Sequence, residues 1–193
     1  VLYGDSCKAE LQSFDKLDGI KWKLMWDNWM THKLDMRSIE SREPNITEGI
    51  SESAFCIYTG SSRVLGVVGG SASADSFNFN TNEAEQIKAT SSKSDSPSSF
   101  GPKTKWDKLY FMDFYTEKMD GSFSLYEIDV SLFKNKLMSK ATGKTFADHQ
   151  ADGKRPRLSL RSIVKEFNIE PIAKNVKIWE DLYPKKEKSL YKI

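Results

Sequence analysis

Three strand-forming runs in the middle of the chain set what it can fold into. Glu85–Thr90, Lys108–Tyr115 and Phe123–Val130 are bounded by turn-forming residues, and Asp120-Gly121 supplies the turn between the last two. Upstream, residues 9–40 place Leu11, Phe14, Leu17, Ile20, Leu24 and Trp26 near helical spacing, which predicts a mostly helical segment. A second helix is expected after Pro44-Asn45, with Asn45 as its cap, ending near Thr59-Gly60. Successive strands on short links, with helices before and after, predict an α/β (α+β) fold: a central mixed β-sheet flanked by helices. We expect a single domain over residues 1–193, with a helical N-terminal region (1–43), a core (44–130) and a basic, helical C-terminal region (131–193).

Smaller features refine this frame. Arg63–Val68 reads as a short buried strand broken by Gly69-Gly70, and Asp75 opens an irregular hairpin whose turn lies in Asn78–Asn82. Trp22, Trp26 and Trp29 fall on one helix face, either as a partner surface or, as is usual for aromatics at this spacing, as core. The serine-rich stretch Ser91–Ser99 separates two strands of one presumed sheet, so a ligand-touching loop fits it better than a linker. Downstream, Pro156 can open a helix capped near Ser159. Gly153-Lys154-Arg155-Pro156-Arg157 would then project at a helix N-terminus, where phosphate is favoured.

Composition excludes several classes. At 193 residues, 38% hydrophobic and 29% charged, the chain can bury a core without disulfides. No apolar run approaches the roughly 20 residues of a membrane span, and Val1-Leu-Tyr-Gly-Asp-Ser6 lacks the marks of a signal peptide. Cys7 and Cys56 form neither a disulfide framework nor a metal-ligand spacing, so a reducing, intracellular (cytoplasmic) setting is expected. The net charge of +2 conceals a split: residues 153–193 hold 11 Lys or Arg against 5 Asp or Glu, and the remainder is net acidic. A basic surface for a polyanion beside an acidic region for a divalent cation would produce that split; so would a merely solvated lysine-rich tail.

The chemistry concentrates at Asp75 and at Gln86-Ile87-Lys88. In a strand Gln86 and Lys88 share one face while Ile87 enters the core, and polar groups on such a strand are costly unless something binds them. A carboxylate, a hairpin-length gap and two polar residues flanking an apolar one is the layout of a metal-dependent phosphodiesterase site. Mg2+ takes oxygen ligands and keeps several waters. Asp75 would anchor it, with the Gln86 side-chain carbonyl and the Ile87 backbone carbonyl as further ligands. Lys88 would orient or deprotonate the attacking water and stabilise charge on the phosphorane. Gln86 stands where an acid is expected, so the helix bearing Glu48 and Glu52 is the source of a replacement, with Glu52 favoured and Glu48 the alternate.

Asn45–Glu52, Asp75, Gln86–Ser91, Ser98-Ser-Phe-Gly-Pro102 and Gln150–Arg157 occur in an order that resembles a small type II restriction endonuclease of the PD-(D/E)XK nuclease superfamily. The likeness covers about residues 44–170. It implies magnesium-dependent cleavage of double-stranded DNA at a short palindromic site by a homodimer, with a cognate DNA methyltransferase acting on the same site. By position, Asp75 is the metal carboxylate, Lys88 the catalytic lysine and Glu52 the helix acid; Gln86 departs from the usual acid. Lys103, Lys105, Arg155, Arg157 and Arg161, with Lys154 beside them, are the candidate DNA-contacting cations, and Ser96, Ser98 and Ser99 the candidate phosphate donors. His149 beside Asp148 fits a structural role better. Two alternatives stay open: a structure-specific repair or junction nuclease, and a DNA-binding protein with a degenerate site.

Overall fold

The structure is a computed structural model that describes residues 8–68, 74–94, 97–102, 104–139 and 141–180. Its elements run β1 (Lys8–Gln12), α1 (Asp18–Ser38), α2 (Glu48–Thr59), β2 (Ser62–Val68), β3 (Ser76–Asn78), β4 (Glu83–Thr90), β5 (Ser98–Ser99), β6 (Lys108–Asp113) and β7 (Phe123–Glu127). Then follow α3 (Ser131–Lys134), β8 (Leu137–Ser139), β9 (Lys144–Thr145), α4 (Phe146–Ala151), β10 (Arg157–Leu158), α5 (Leu160–Glu166) and β11 (Ala173–Val176). The main sheet has seven strands in the order β1-β2-β3-β4-β6-β7-β11, and β4–β6 is its parallel pair. The mixed, helix-flanked sheet expected from the sequence is therefore present.

Parallel neighbours cannot be joined by a tight turn, so the chain leaving β4 must travel over the sheet before entering β6. Residues 91–107 make that crossing, which is why the serine-rich stretch interrupts two core strands. β5 within it pairs with β10, tying the crossing to the C-terminal third.

Alternation along the strands gives the sheet two apolar faces. Ile87, Met112 and Leu125 join Trp22, Trp26, Trp29 and Phe55 in one core beneath α1 and α2, while Leu109, Phe111 and Ile128 join Phe100, Phe133, Phe146 and Ile163 in another. Trp22 and Trp26 are fully buried and stacked with ring centroids 5.6 Å apart. Their indole N–H groups donate to the carbonyls of Ile50 (2.7 Å) and Met119 (3.2 Å), so burial leaves neither polar tip unmatched. The Asp120-Gly121 turn closes against this stack. Gly121 has φ +94°, and a Cβ there would lie 3.1 Å from both indoles, so the position requires glycine on two counts.

Several sequence expectations change. Residues 8–12 are a strand paired with β2 rather than the start of a helix, and α1 begins only at Asp18. The apolar stripe Leu17, Ile20, Leu24 is the exposed face of α1; the tryptophan face is the buried one, because large rings remove more apolar surface from water. Thr47, not Asn45, occupies the cap position of α2. Pro156 is buried ahead of β10, and Ser159 caps a short α5 whose Ser162 N–H it accepts, so Lys154, Arg155 and Pro156 lead into a strand, which Arg157 opens, and not into a helix. The C-terminal region is not simply helical, since β11 completes the edge of the main sheet.

Candidate active site

The site forms where β3 and β4 part. β3 pairs with β4 only through Glu85, and the backbone of Asp75 just beyond continues the contact by donating to the Glu85 carbonyl at 2.9 Å. One step further, Ile87 has no strand partner on that edge among the described residues. The Asp75 carboxylate takes the place of a strand there, accepting the Ile87 N–H at 2.7 Å and the Gln86 side-chain amide. Because the N–H and C=O of one strand residue point to the same side, the Ile87 carbonyl opens on this edge too. Asp75, Gln86 and Ile87 are thus assembled at one point, and the local reason is the early end of β3.

Glu52 arrives from α2, which packs on β2 and β4. It is 7% exposed and paired with Arg63 of β2 at 2.7 Å. Burial raises its pKa to about 7, with Asp75 and Glu48 adding to the rise and Arg63 opposing it. Asp75 is likewise raised to about 6, by burial above all, although Lys88 and the Ile87 N–H pull the other way. Glu48 lies exposed in the first turn of α2 and pushes both groups upward. These are carboxylates held close in a poorly solvated place, each made reluctant to ionise by its surroundings.

Lys88 follows on the face opposite Ile87, its ammonium 5.8 Å from the centre of the Phe100 ring and close enough to act on Asp75. A cleft of about 300 Å³ opens over this strand end, lined by Glu48, Glu52, Ile87, Lys88, Ser98, Ser99 and Arg155 among others, with Asp75 and Gln86 outside the lining and joined to it through Ile87. Among the described residues no group of three or more His, Cys, Asp and Glu side chains is gathered closely enough to form a metal site by itself. The donor set nevertheless suits Mg2+, which needs only one or two carboxylates and accepts carbonyl oxygens and water for the rest. Asp75, Glu52, the Gln86 amide oxygen and the Ile87 carbonyl are such donors, and the buried carboxylates carry negative charge that a cation would relieve.

A second and larger cavity, about 1020 Å³, adjoins the cleft and shares Asn45, Ser91 and Pro97 with it. Arg157 lines it, with Lys33, Arg37, Arg42 and Lys93. The sequence-derived DNA contacts thus divide. Ser98, Ser99 and Arg155 border the cleft and Arg157 the larger cavity, whereas Lys105 and Lys154 are exposed and border neither. Ser96 and Lys103 lie outside the described residues, as does Cys7. Arg161 is corrected: its guanidinium makes a two-pronged ion pair with Asp113 (2.6 and 2.8 Å) and donates to the Ser92 and Lys93 carbonyls. It clasps the serine-rich crossing to β6 instead of facing a ligand. His149 borders neither cavity, and its buried Nε2 has no hydrogen-bond partner among the described residues.

Sequence reasoning missed the N-terminal cations and Arg63, whose only local signal was a charge near the start of β2; that strand was expected to be buried but is not, with Leu65 48% exposed. Lys33 and Arg37 stand one helical turn apart, which was legible; their facing the serine loop was not.

The profile of the Bsp6I restriction endonuclease family matches residues 14–167, from just before α1 through α5. The chain is similar to the type II restriction enzyme Bsp6I of Bacillus sp. (strain RFL6), at 28% identity over 171 residues, covering 88% of this chain and 91% of that enzyme. No solved structure matches.

Proposed function

This chain belongs to the Bsp6I restriction endonuclease family and is a type II restriction endonuclease, a site-specific deoxyribonuclease; on that premise we propose that it hydrolyses duplex DNA in the cleft over β4, using Mg2+ held by Asp75 and Glu52. Enzymes of this kind are generally metal-dependent. The observation that carries the assignment is the convergence of Asp75, Gln86 and the Ile87 backbone where β4 runs on past the end of β3, with Glu52 and Lys88 beside them.

When bound, the ion would neutralise charge on the phosphate and acidify a water molecule. The protein's part follows from its own groups. Asp75 is fixed by the Ile87 N–H, so its carboxylate is oriented before any ligand arrives. The Gln86 amide steadies it, and rotation of that amide would turn its carbonyl oxygen toward a cation. Lys88 brings a positive charge to the cleft, where it can position the attacking water and stabilise the phosphorane oxygens. Arg63 keeps Glu52 from standing as an uncompensated buried charge. Glu52 is preferred to Glu48 because it is buried beside Asp75, whereas Glu48 is exposed.

A short palindromic target and a homodimer belong to the same proposal, since two-fold DNA is matched by two-fold protein. So does a methyltransferase protecting the same sequence. Plasmid DNA incubated with the protein and Mg2+ should yield discrete fragments, and none in EDTA. Cutting confined to branched substrates would replace the site-specific reading with a junction nuclease. Intact binding without cleavage under any divalent ion would indicate a degenerate site.

A further inference from the structure

The cavity of about 1020 Å³ beside the cleft is basic in a particular way. Its lining holds Lys33, Arg37, Arg42, Lys93 and Arg157 against one acid, Glu43. Among the described residues Arg42, Lys93 and Arg157 are in no ion pair. Lys33 is only 1% exposed, donates to the Ser91 carbonyl and hydroxyl (3.0 and 3.2 Å), and lies 5.1 Å from the centre of the Trp29 ring. Its charge is therefore set deep, at the end of the strand that carries Lys88. Glu43 meets this group from the segment between α1 and α2, 2.6 Å from Arg37 Nε and 3.6 Å from Lys33 Nζ.

A carboxylate accepts from a guanidinium the same charge-assisted bonds that a phosphate oxygen does. The cavity has an anion-binding floor, one internal anion on it, surplus cations around it, and a wall shared with the cleavage cleft through Asn45, Ser91 and Pro97. We infer that this cavity seats the DNA sugar-phosphate backbone flanking the cleavage point, and that the Glu43 carboxylate holds the phosphate's place in it when DNA is absent. The inference rests on the nuclease reading above. It gives α1 and residues 41–45 a function in substrate binding: the arriving backbone displaces Glu43, and Arg37 and Lys33 exchange one anion for another. Glu43 thereby weakens attachment to DNA in general, since any duplex must first break two ion pairs.

Binding of a fluorescent duplex, followed by anisotropy across a salt series in EDTA, tests this without cleavage. Each phosphate contact contributes about 0.9 to the slope of log affinity against log salt. The double substitution Arg42→Ala with Lys93→Ala changes only exposed side chains. It should lower the slope by about 1–2 and weaken binding about tenfold or more near 150 mM salt. Glu43→Gln should tighten binding several-fold. Lys134→Ala, outside the lining, should alter neither. An unchanged slope in the double variant, weaker binding by Glu43→Gln, or an equal loss in Lys134→Ala overturns the inference. If the wild-type protein cuts plasmid with Mg2+ while the slope is unchanged, the cavity assignment falls and the nuclease reading stands; if the slope falls in the double variant but the wild type does not cut, the cleavage reading falls and the backbone-binding assignment stands.

Discussion

Replacing Asp75 with asparagine should abolish cleavage and, in the metal-free protein at pH 8, increase stability. The side chain keeps its shape and can still accept the Ile87 N–H, but loses its charge. In the folded protein Asp75 is raised from 3.8 to about 6, chiefly by burial. An acid whose folded pKa exceeds its unfolded value holds its proton more tightly when folded. Its ionisation therefore opposes folding, fully above the folded pKa and not at all below the unfolded one. A difference of about two pH units corresponds to about 3 kcal/mol at pH 8. Asp75 and Glu52 titrate as an interacting pair, so the gain from removing one is about 1–3 kcal/mol. Urea denaturation in EDTA at pH 5 and pH 8 measures this directly. Wild-type stability should fall by about 2–4 kcal/mol over that range, as Asp75 and Glu52 ionise, and should fall less in Asp75→Asn. Added Mg2+ should stabilise the wild type at pH 8 and leave the variant unchanged. Wild-type stability that is flat or rising from pH 5 to pH 8, or an Asp75→Asn protein less stable than wild type at pH 8, would refute the reasoning.

Further outcomes follow from the same geometry. Lys88→Ala should reduce cleavage by at least about a hundredfold with an unchanged melting temperature, checked by plasmid digestion and calorimetry; retained activity would remove Lys88 from the site. Glu52→Ala should abolish cleavage whereas Glu48→Ala should retain most of it, and the reverse result would hand the metal role to Glu48. Gln86→Glu sets a carboxylate against Asp75, so the metal-free protein should lose about 1–2 kcal/mol at pH 8 while half-maximal cleavage shifts to lower Mg2+; an Mg2+ requirement that rises instead would exclude position 86 as a ligand. Trp26→Ala should cost about 3–5 kcal/mol in urea denaturation, as loss of a buried aromatic does, and a change below about 1 kcal/mol would contradict the packing described.

The parts of this fold that were legible in the sequence are those fixed by short-range chemistry. Strand periodicity located β4, β6 and β7, the αL glycine at position 60 ended α2, and the alternation around Ile87 gave the correct faces for Gln86 and Lys88. What failed depended on distant partners. β1 exists because β2 offers it an edge, so its helix-like spacing lost to strand pairing. The exposed apolar stripe of α1 and its buried tryptophans compete for the same core, and only packing decides between them. Arg161 looked like a DNA contact because a cation in a basic stretch carries no local mark of an internal partner 48 residues away. Arg63 and the Glu43 cavity were invisible for the same reason.

The parallel pairing of β4 with β6 also governs when this enzyme can become dangerous. During synthesis Glu52, Asp75 and Lys88 leave the ribosome before the strand that must lie beside them. Until Lys108–Asp113 arrives and the crossing closes, β4 lacks the neighbour that holds its edge in place. Non-local parallel pairing is slow, because loop closure precedes its reward. If Glu52, Asp75 and Lys88 are the cutting residues, cleavage is expected only once the sheet is complete, and a chain truncated before Lys108 should show none.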